Sequence, residues 1–408
     1  MDIIRHKVLV WAGIYKLHTK RYYLGVCHDV YRVFVIVMLI LVNIQHIIYI
    51  YLRAIRGEDV PWDIVLLVIT MINLIIKVVT INIHSKQIDE IHDLIKAPMF
   101  DPTCTEDETI LKKNEKQINL LLKTVYINVT VLNISYNIYT IGQRVKDASA
   151  VIPAYYPFDT NPWSGYLLAF LFEWANLSFW CGYGLALIDC SVACYYTRAS
   201  THLKIVNYHL EHMFDDVKGQ IQKHFQYKDF LDRTLNHKFI YYVQRYLNVH
   251  RLIDTVNIAF NGGTAFQFFS VTACLSFCIY KMSYTDIFSV EFQFASTLVL
   301  YYQLQNFLYC YFGNLVENES DLVCTSMYFS GWTSASPRFR RQMLRRRPNW
   351  RRSHDDTMRR RLIAMARWAR PITPRVSIVP VTMATFEATV RLSYTLYTVL
   401  KSRSMTMN

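Results

Sequence analysis

Apolar stretches of about twenty residues recur along the chain between polar segments, the pattern of helices that cross a bilayer at a rise of about 1.5 Å per residue. Seven spans are predicted: Tyr31–Leu52, Trp62–Ile83, Asn119–Ile141, Ser164–Tyr196, Leu252–Tyr280, Asp286–Gly313 and Val376–Lys401. The fourth, fifth and sixth are longer than a bilayer requires, so they must tilt or project beyond it. No internal repeat, low-complexity tract or linker divides the chain. The expected fold class is therefore an all-α membrane protein forming one domain over residues 1–408. Residues 1–29 are mixed and basic, and no secretory signal is expected there.

The last span is unusually polar. Arg391, Thr395, Thr398 and Ser402 follow at helical spacings along one side, with Leu392, Leu396 and Val399 beside them. A spanning helix with a polar edge needs a polar neighbour or water. Two readings remain open: a helix buried in a bundle, its hydroxyls bonded to the preceding turn, or a helix lining a conduction path.

Composition agrees with a membrane chain. Hydrophobic residues make up 52% and charged residues 18%, against about 25% charged in a soluble domain. The amino-terminal arm and alternate connections hold 33 of the Lys and Arg residues, against 7 in the remaining connections and the tail, with Lys401 counted in the tail. The positive-inside rule then puts the amino terminus in the cytosol and the carboxyl terminus outside, opposite to a G-protein-coupled receptor. A secondary transporter would show inverted repeats or paired broken helices, and neither is found. The nine cysteines fall in spans or expected cytosolic segments, so no extracellular disulfide framework is implied. Sequons begin at Asn128, Asn133, Asn176 and Asn318, within spans or an expected cytosolic loop, and none is expected to be glycosylated.

The formal charge of +13 is concentrated between Asn314 and Arg375, which hold 14 Arg and 5 acids. A juxtamembrane loop meeting anionic lipid explains these better than nucleic-acid binding. His250 and Asp254 match an acyltransferase-like His-X-X-X-Asp, but a solvated helix end explains a pattern that short, and no enzyme activity is expected. His209, Glu211 and His212 offer only part of a metal site and read as cytosolic surface, so no metal or cofactor is expected. Gly262 and Gly263 suit close helix packing.

Charges inside spans are functional candidates because each is costly in hydrocarbon. Lys77 and Lys123 lie near span ends and are expected to snorkel. Arg391 has Glu387 four residues before it, the favourable order for an ion pair. Glu173 sits about ten residues into the fourth span, too deep to set aside. Aromatics cluster towards the outer ends of the spans, where Trp62, Tyr139 and Tyr166 suit interfacial anchoring. Tyr136, Phe170, Trp174, Phe288 and Phe292, with Glu173, are the candidates for an apolar ligand pocket.

Three motifs carry a resemblance. Thr385-Phe386, then Arg391-Leu392-Ser393-Tyr394-Thr395 and Tyr397-Thr398-Val399-Leu400, resembles the closing helix of the insect odorant receptors. Tyr309-Cys310-Tyr311-Phe312-Gly313-Asn314, followed by Ser320, Tyr328 and Trp332, is similar to a second family motif. Tyr155-Tyr156-Pro157-Phe158-Asp159 resembles the Tyr-Pro-Phe-Asp of the family's second outer loop. The three fall in the family's order across most of the chain.

The resemblance implies an odorant-binding subunit of a ligand-gated cation channel, tetrameric and assembled with the shared odorant co-receptor in olfactory sensory neurons. It implies a pocket for a small volatile apolar ligand among the second, third, fourth and sixth helices. It also implies a cytosolic anchor from the ends of helices four to seven and a pore lined by the last helix, residues 376–402. Leu392, Thr395, Val399 and Ser402 would line that pore, and Tyr309, Gly313, Tyr328 and Trp332 would serve assembly. Counting thirteen residues beyond Phe386 lands on Val399, the expected constriction. Met343 to Arg360 departs from the family pattern as an insertion between Arg340-Arg341 and Arg361-Leu362.

Overall fold

The computed structural model describes residues 9–17, 21–146, 152, 154–221, 227–330, 372–376 and 379–407. The chain begins with α1 (Tyr22–Ile55), α2 (Trp62–Ile83), a short α3 (Ser85–Ile95) and a long α4 (Thr105–Lys146). Next, α5 (Trp163–Ala175) runs through a π-helical stretch, Asn176–Gly184, into α6 (Leu185–Ile221). Then come α7 (Tyr227–Met282), α8 (Val290–Phe329), strands β1 (Arg375–Val376) and β2 (Val379–Pro380), and α9 (Met383–Met407). The first five expected spans fall within helices, and the sixth and seventh do so only from Val290 and Met383 onward. Among the described residues, five helices are long and apolar enough to cross a membrane: α1, α2, α4, the continuous α5–α6 and α7.

The helix boundaries follow from local chemistry. Pro61 and Pro162 sit just before α2 and α5, where a missing N–H costs no helical bond. Ser289 caps α8 by accepting from the Phe292 N–H at 3.1 Å. Within the helices, Thr70, Thr264 and Thr272 each donate to the carbonyl four residues back, which satisfies hydroxyls that have no water available.

The last helix begins at Met383, seven residues later than expected from its apolar pattern. Arg375–Val376 pairs antiparallel with Val379–Pro380 instead. Pro380 disfavours helix at the residue before it, so apolar character there marks a short hairpin. The sixth span also differs, because α8 continues past Gly313 to Phe329. Gly313 does not end the helix; it leaves room for another segment. A Cβ at Gly313 would lie 2.1 Å from the Val381 carbonyl oxygen.

Of the five candidate spans the continuous α5–α6 helix is the most buried, and α6 packs on α7 and α8. α2 packs on α7, α4 on α8, and α9 on α7 and α8. One continuous apolar cluster runs from residues 9–15 through α1 to α4 and α6 to α8 as far as Val381. Gly262 and Gly263 serve close packing, since a Cβ on Gly263 would come 2.9 Å from the Lys77 Cγ. The segment 9–17 is tied to α3, where Tyr15 donates to Asp89 and Lys16 pairs with it at 2.6 Å. Burial first, and Asp89 second, push the Tyr15 hydroxyl pKa upward.

A buried carboxylate above an apolar cavity

Near the end of the bundle where α2, α5 and α8 begin, four helices line a cavity of about 90 Å³. It is of the order of the dry cavities that admit a single-ring molecule. The α8 wall presents Phe294, Leu298, Tyr301 and Tyr302, at spacings of four, three and one that keep them on one face. α2 adds Ile64, Leu66, Leu67 and Thr70, and α4 adds Leu132, Asn133 and Tyr136. The fourth wall comes from Glu173 on α5 and from Leu177, Cys181 and Gly182 in the π-helical stretch. Widening from α to π geometry is common at functional sites, and here it turns a new set of residues into the cavity.

Glu173 is 2% exposed. Its Oε1 accepts from the Tyr136 hydroxyl at 3.0 Å and lies 3.3 Å from Nε2 of His46 on α1. Its Oε2 accepts from the Tyr156 hydroxyl at 3.1 Å. Tyr156 belongs to the loop motif 155–159, so that motif is tied to the cavity wall through this carboxylate. Asp63, at the first turn of α2, also lines the cavity.

Beneath the cavity the Tyr301 hydroxyl joins a second polar cluster. Gln305 Nε2 donates to Tyr301 at 2.8 Å and to Asp189 Oδ2 at 3.1 Å, while its Oε1 accepts from Gln267 at 3.0 Å. Asp189 Oδ1 accepts from the Tyr309 hydroxyl at 2.6 Å and pairs with Lys77. Lys77 is 2% exposed, so it does not snorkel as expected; Asp189 on α6 holds it inside. Lys123 is exposed, as expected.

The expected ligand residues separate sharply. Tyr136 and Glu173 line the cavity. Phe170 instead stacks on Tyr166 with ring centres 6.4 Å apart, outside the lining. Trp174 is 43% exposed and Phe288 94% exposed, because their faces of α5 and of the turn before α8 point away from the bundle. Phe292 is partly buried but off the lining; two residues on, Phe294 faces the cavity. His46, Asp63 and Phe294 were missed, although their burial follows from helical spacing once the packing is known.

Of the assembly candidates, Tyr309 and Gly313 are buried within the subunit, Tyr328 is 70% exposed, and Trp332 lies outside the described residues. So does the Arg-rich stretch with its insertion. On α9, Thr389 and Ser393 are the buried positions among the described residues. Ser393 Oγ donates to Thr389 O at 2.8 Å, and Ser276 Oγ on α7 donates to Ser393 O at 3.1 Å. Leu392, Thr395, Val399 and Ser402 are all exposed on the side away from the rest of the subunit. Thr395 and Ser402 donate to carbonyls of the preceding turn, and Arg391 pairs with Glu387 at 2.5 Å.

His209 is not on the surface as expected, whereas Glu211 and His212 are. Its Nε2 lies 2.8 Å from Asp107 and 3.7 Å from the Cys104 sulfur, bringing three metal-type donors together. Thr103 donates twice to Asp107, and the Arg245 guanidinium stands 3.9 Å away. That cation supplies the positive charge a metal would bring, and the cluster ties α4 to α6 and α7. Burial pushes the Cys104 thiol pKa up. His250 and Asp254 form an exposed i,i+4 pair at 2.8 Å on α7, a surface contact.

A polytopic helical bundle with a mostly apolar cavity between its helices has the form of a membrane receptor for small molecules. The chain belongs to the seven-transmembrane odorant receptor family, whose model matches residues 63–345. Its fold is similar to that of the insect olfactory receptor OR5 from Machilis hrabei, solved alone and in complex with eugenol. In each case the TM-score is 0.77 at 14% identity, covering 98% of this chain and 97% of that one. No curated protein matches the sequence significantly.

Proposed function

We propose that this receptor is the odorant-binding subunit of a ligand-gated, non-selective cation channel, assembled as a tetramer with the shared co-receptor. Family membership supports that reading. The observation that carries the binding part is the cavity among α2, α4, α5 and α8, the helices that correspond to the second, third, fourth and sixth spans. The Machilis receptor in complex with eugenol makes a small odorant a reasonable occupant. The asymmetry of Lys and Arg favours a cytosolic amino terminus and an external carboxyl terminus. Its place would be the plasma membrane of olfactory sensory neurons.

Odorant-evoked current in cells expressing the chain with and without the co-receptor tests the reading. Leu298→Trp, which fills the cavity, should abolish the response while surface expression persists. Phe294→Ala should shift the half-maximal concentration tenfold or more, since burying an aromatic ring is worth about 1.5–3 kcal/mol. Phe288→Ala, at an exposed position, should leave the dose–response curve unchanged. Normal responses in both cavity variants would remove the cavity from the reading.

The exposed side of α9 is the proposed pore lining. Four Val399 side chains around a central axis would make an apolar constriction that ions cross only when it wets. Val399→Lys is expected to lower evoked current or change ion selectivity, and Val399→Ala to raise basal leak. Parent-like conduction in both variants at the surface would exclude Val399 from the pore.

A further inference from the structure

Most polar groups in the cavity wall are already engaged. Glu173 accepts from Tyr136 and Tyr156 and meets His46. Asp63 receives the Tyr139 hydroxyl, and its Oδ1 is sealed from solvent. Thr70 and Tyr302 bond each other at 2.7 Å, and Gln305 donates to Tyr301. Asn133 on α4 differs. Its Nδ2 donates to the Val129 carbonyl at 3.0 Å, and since a carbonyl can only accept, the amide's orientation is fixed. Oδ1 is then left with no hydrogen-bond partner among the described residues. Unlike the Oδ1 atoms of Asn128 and Asn137 on the same helix, it is not sealed from solvent. Beside it stands Gly182 of the π-helical stretch, where a Cβ would come 3.1 Å from Asn133 Nδ2 and 3.5 Å from its Oδ1. Both residues line the cavity, and the missing side chain at Gly182 keeps the amide uncovered.

We propose that Asn133 is the polar selectivity residue of the cavity: its Oδ1 accepts a hydrogen bond from the hydroxyl of a compact, otherwise apolar ligand. This deepens the odorant-binding reading and rests on the cavity being the ligand site. Leu132, Phe294 and Leu298 supply apolar surface for the body of the molecule. A hydroxyl buried there without a partner would be costly, and the amide removes that cost. A hydrocarbon of the same shape gains nothing from the amide and covers Oδ1 without satisfying it. Asn133 therefore shifts the balance towards alcohols, and Gly182 keeps it within their reach.

Two molecules of nearly equal shape, benzyl alcohol and ethylbenzene, test this. Binding is read as thermal stabilisation of the purified receptor across a concentration series, and the quantity compared is the ratio of the two affinities. Asn133→Leu keeps the volume of the side chain and removes the amide. It should move that ratio tenfold or more towards ethylbenzene, whose own binding holds or improves. Gly182→Ala crowds the amide and should move the ratio the same way by threefold or more, so it decides the matter if Asn133→Leu does not fold. An unchanged ratio, or no binding of either molecule up to millimolar concentration, overturns the proposal. The premise fails separately: if Leu298→Trp still binds both molecules as the parent does, the cavity is not the ligand site.

Discussion

Asp189→Ala is expected to yield almost no folded receptor, and Lys77→Met combined with Asp189→Leu to recover most of it. The Lys77 and Asp189 side chains are 2% and 0% exposed and bond directly across α2 and α6. Asp189 also receives Tyr309 and Gln305, so both its oxygens are occupied. Removing it strands an ammonium with only the Tyr309 ring beside it, 5.4 Å away. Breaking a buried pair costs about 3–5 kcal/mol, whereas replacing both members by apolar residues of similar volume is often neutral. Against a typical stability of about 5–15 kcal/mol, the single change is severe. Monodisperse yield and melting temperature after detergent extraction measure both variants. A single variant as stable as the parent would show that the pair carries no structural weight. If the double variant folds yet no longer conducts, the network beneath Tyr301 serves gating rather than folding.

Gly313→Ala is expected to displace the strand segment that leads into α9. The Cβ would stand 2.1 Å from the Val381 carbonyl oxygen, well inside contact distance, and the obstructing atom is backbone that no rotamer change can move. Val381 is fully buried and donates its N–H to the Pro374 carbonyl at 2.9 Å, so it has little freedom to retreat. Overpacking typically costs about 1–3 kcal/mol, and a backbone clash belongs at the upper end. The expected result is a lower melting temperature and lost evoked current, with larger side chains progressively worse. A Gly313→Ala receptor with normal stability and current would show that the α8–α9 junction yields easily.

The spans were legible because each is a run of apolar residues long enough for a bilayer, a property of consecutive residues. The site was only half legible. Glu173 was visible because a carboxylate ten residues into a span is rare. Asp189 lies in the same span and the same reasoning applied to it, yet it was passed over. Lys77 was misjudged because distance from a span end says nothing about a partner on another helix. Trp174 and Phe288 were aromatic and near the right end, but composition does not say which face of a helix turns inward. That depends on helix rotation, and the π-helical stretch at Asn176–Gly184 changes the rotation between α5 and α6.

By itself, then, the amino-acid order determined a helical membrane chain, the approximate position of its long helices and, through three short motifs, the family. Each depends on residues adjacent or a few positions apart. Only the tertiary structure decided that Tyr156, His46 and Tyr136 meet at Glu173, and that Lys77 is held by Asp189. It also decided that Gly313 makes room for Val381 and that the cavity takes Phe294 rather than Phe292. Those facts join residues up to 127 positions apart, as His46 is from Glu173. They arise from the mutual rotation and depth of packed helices, which no local spacing encodes.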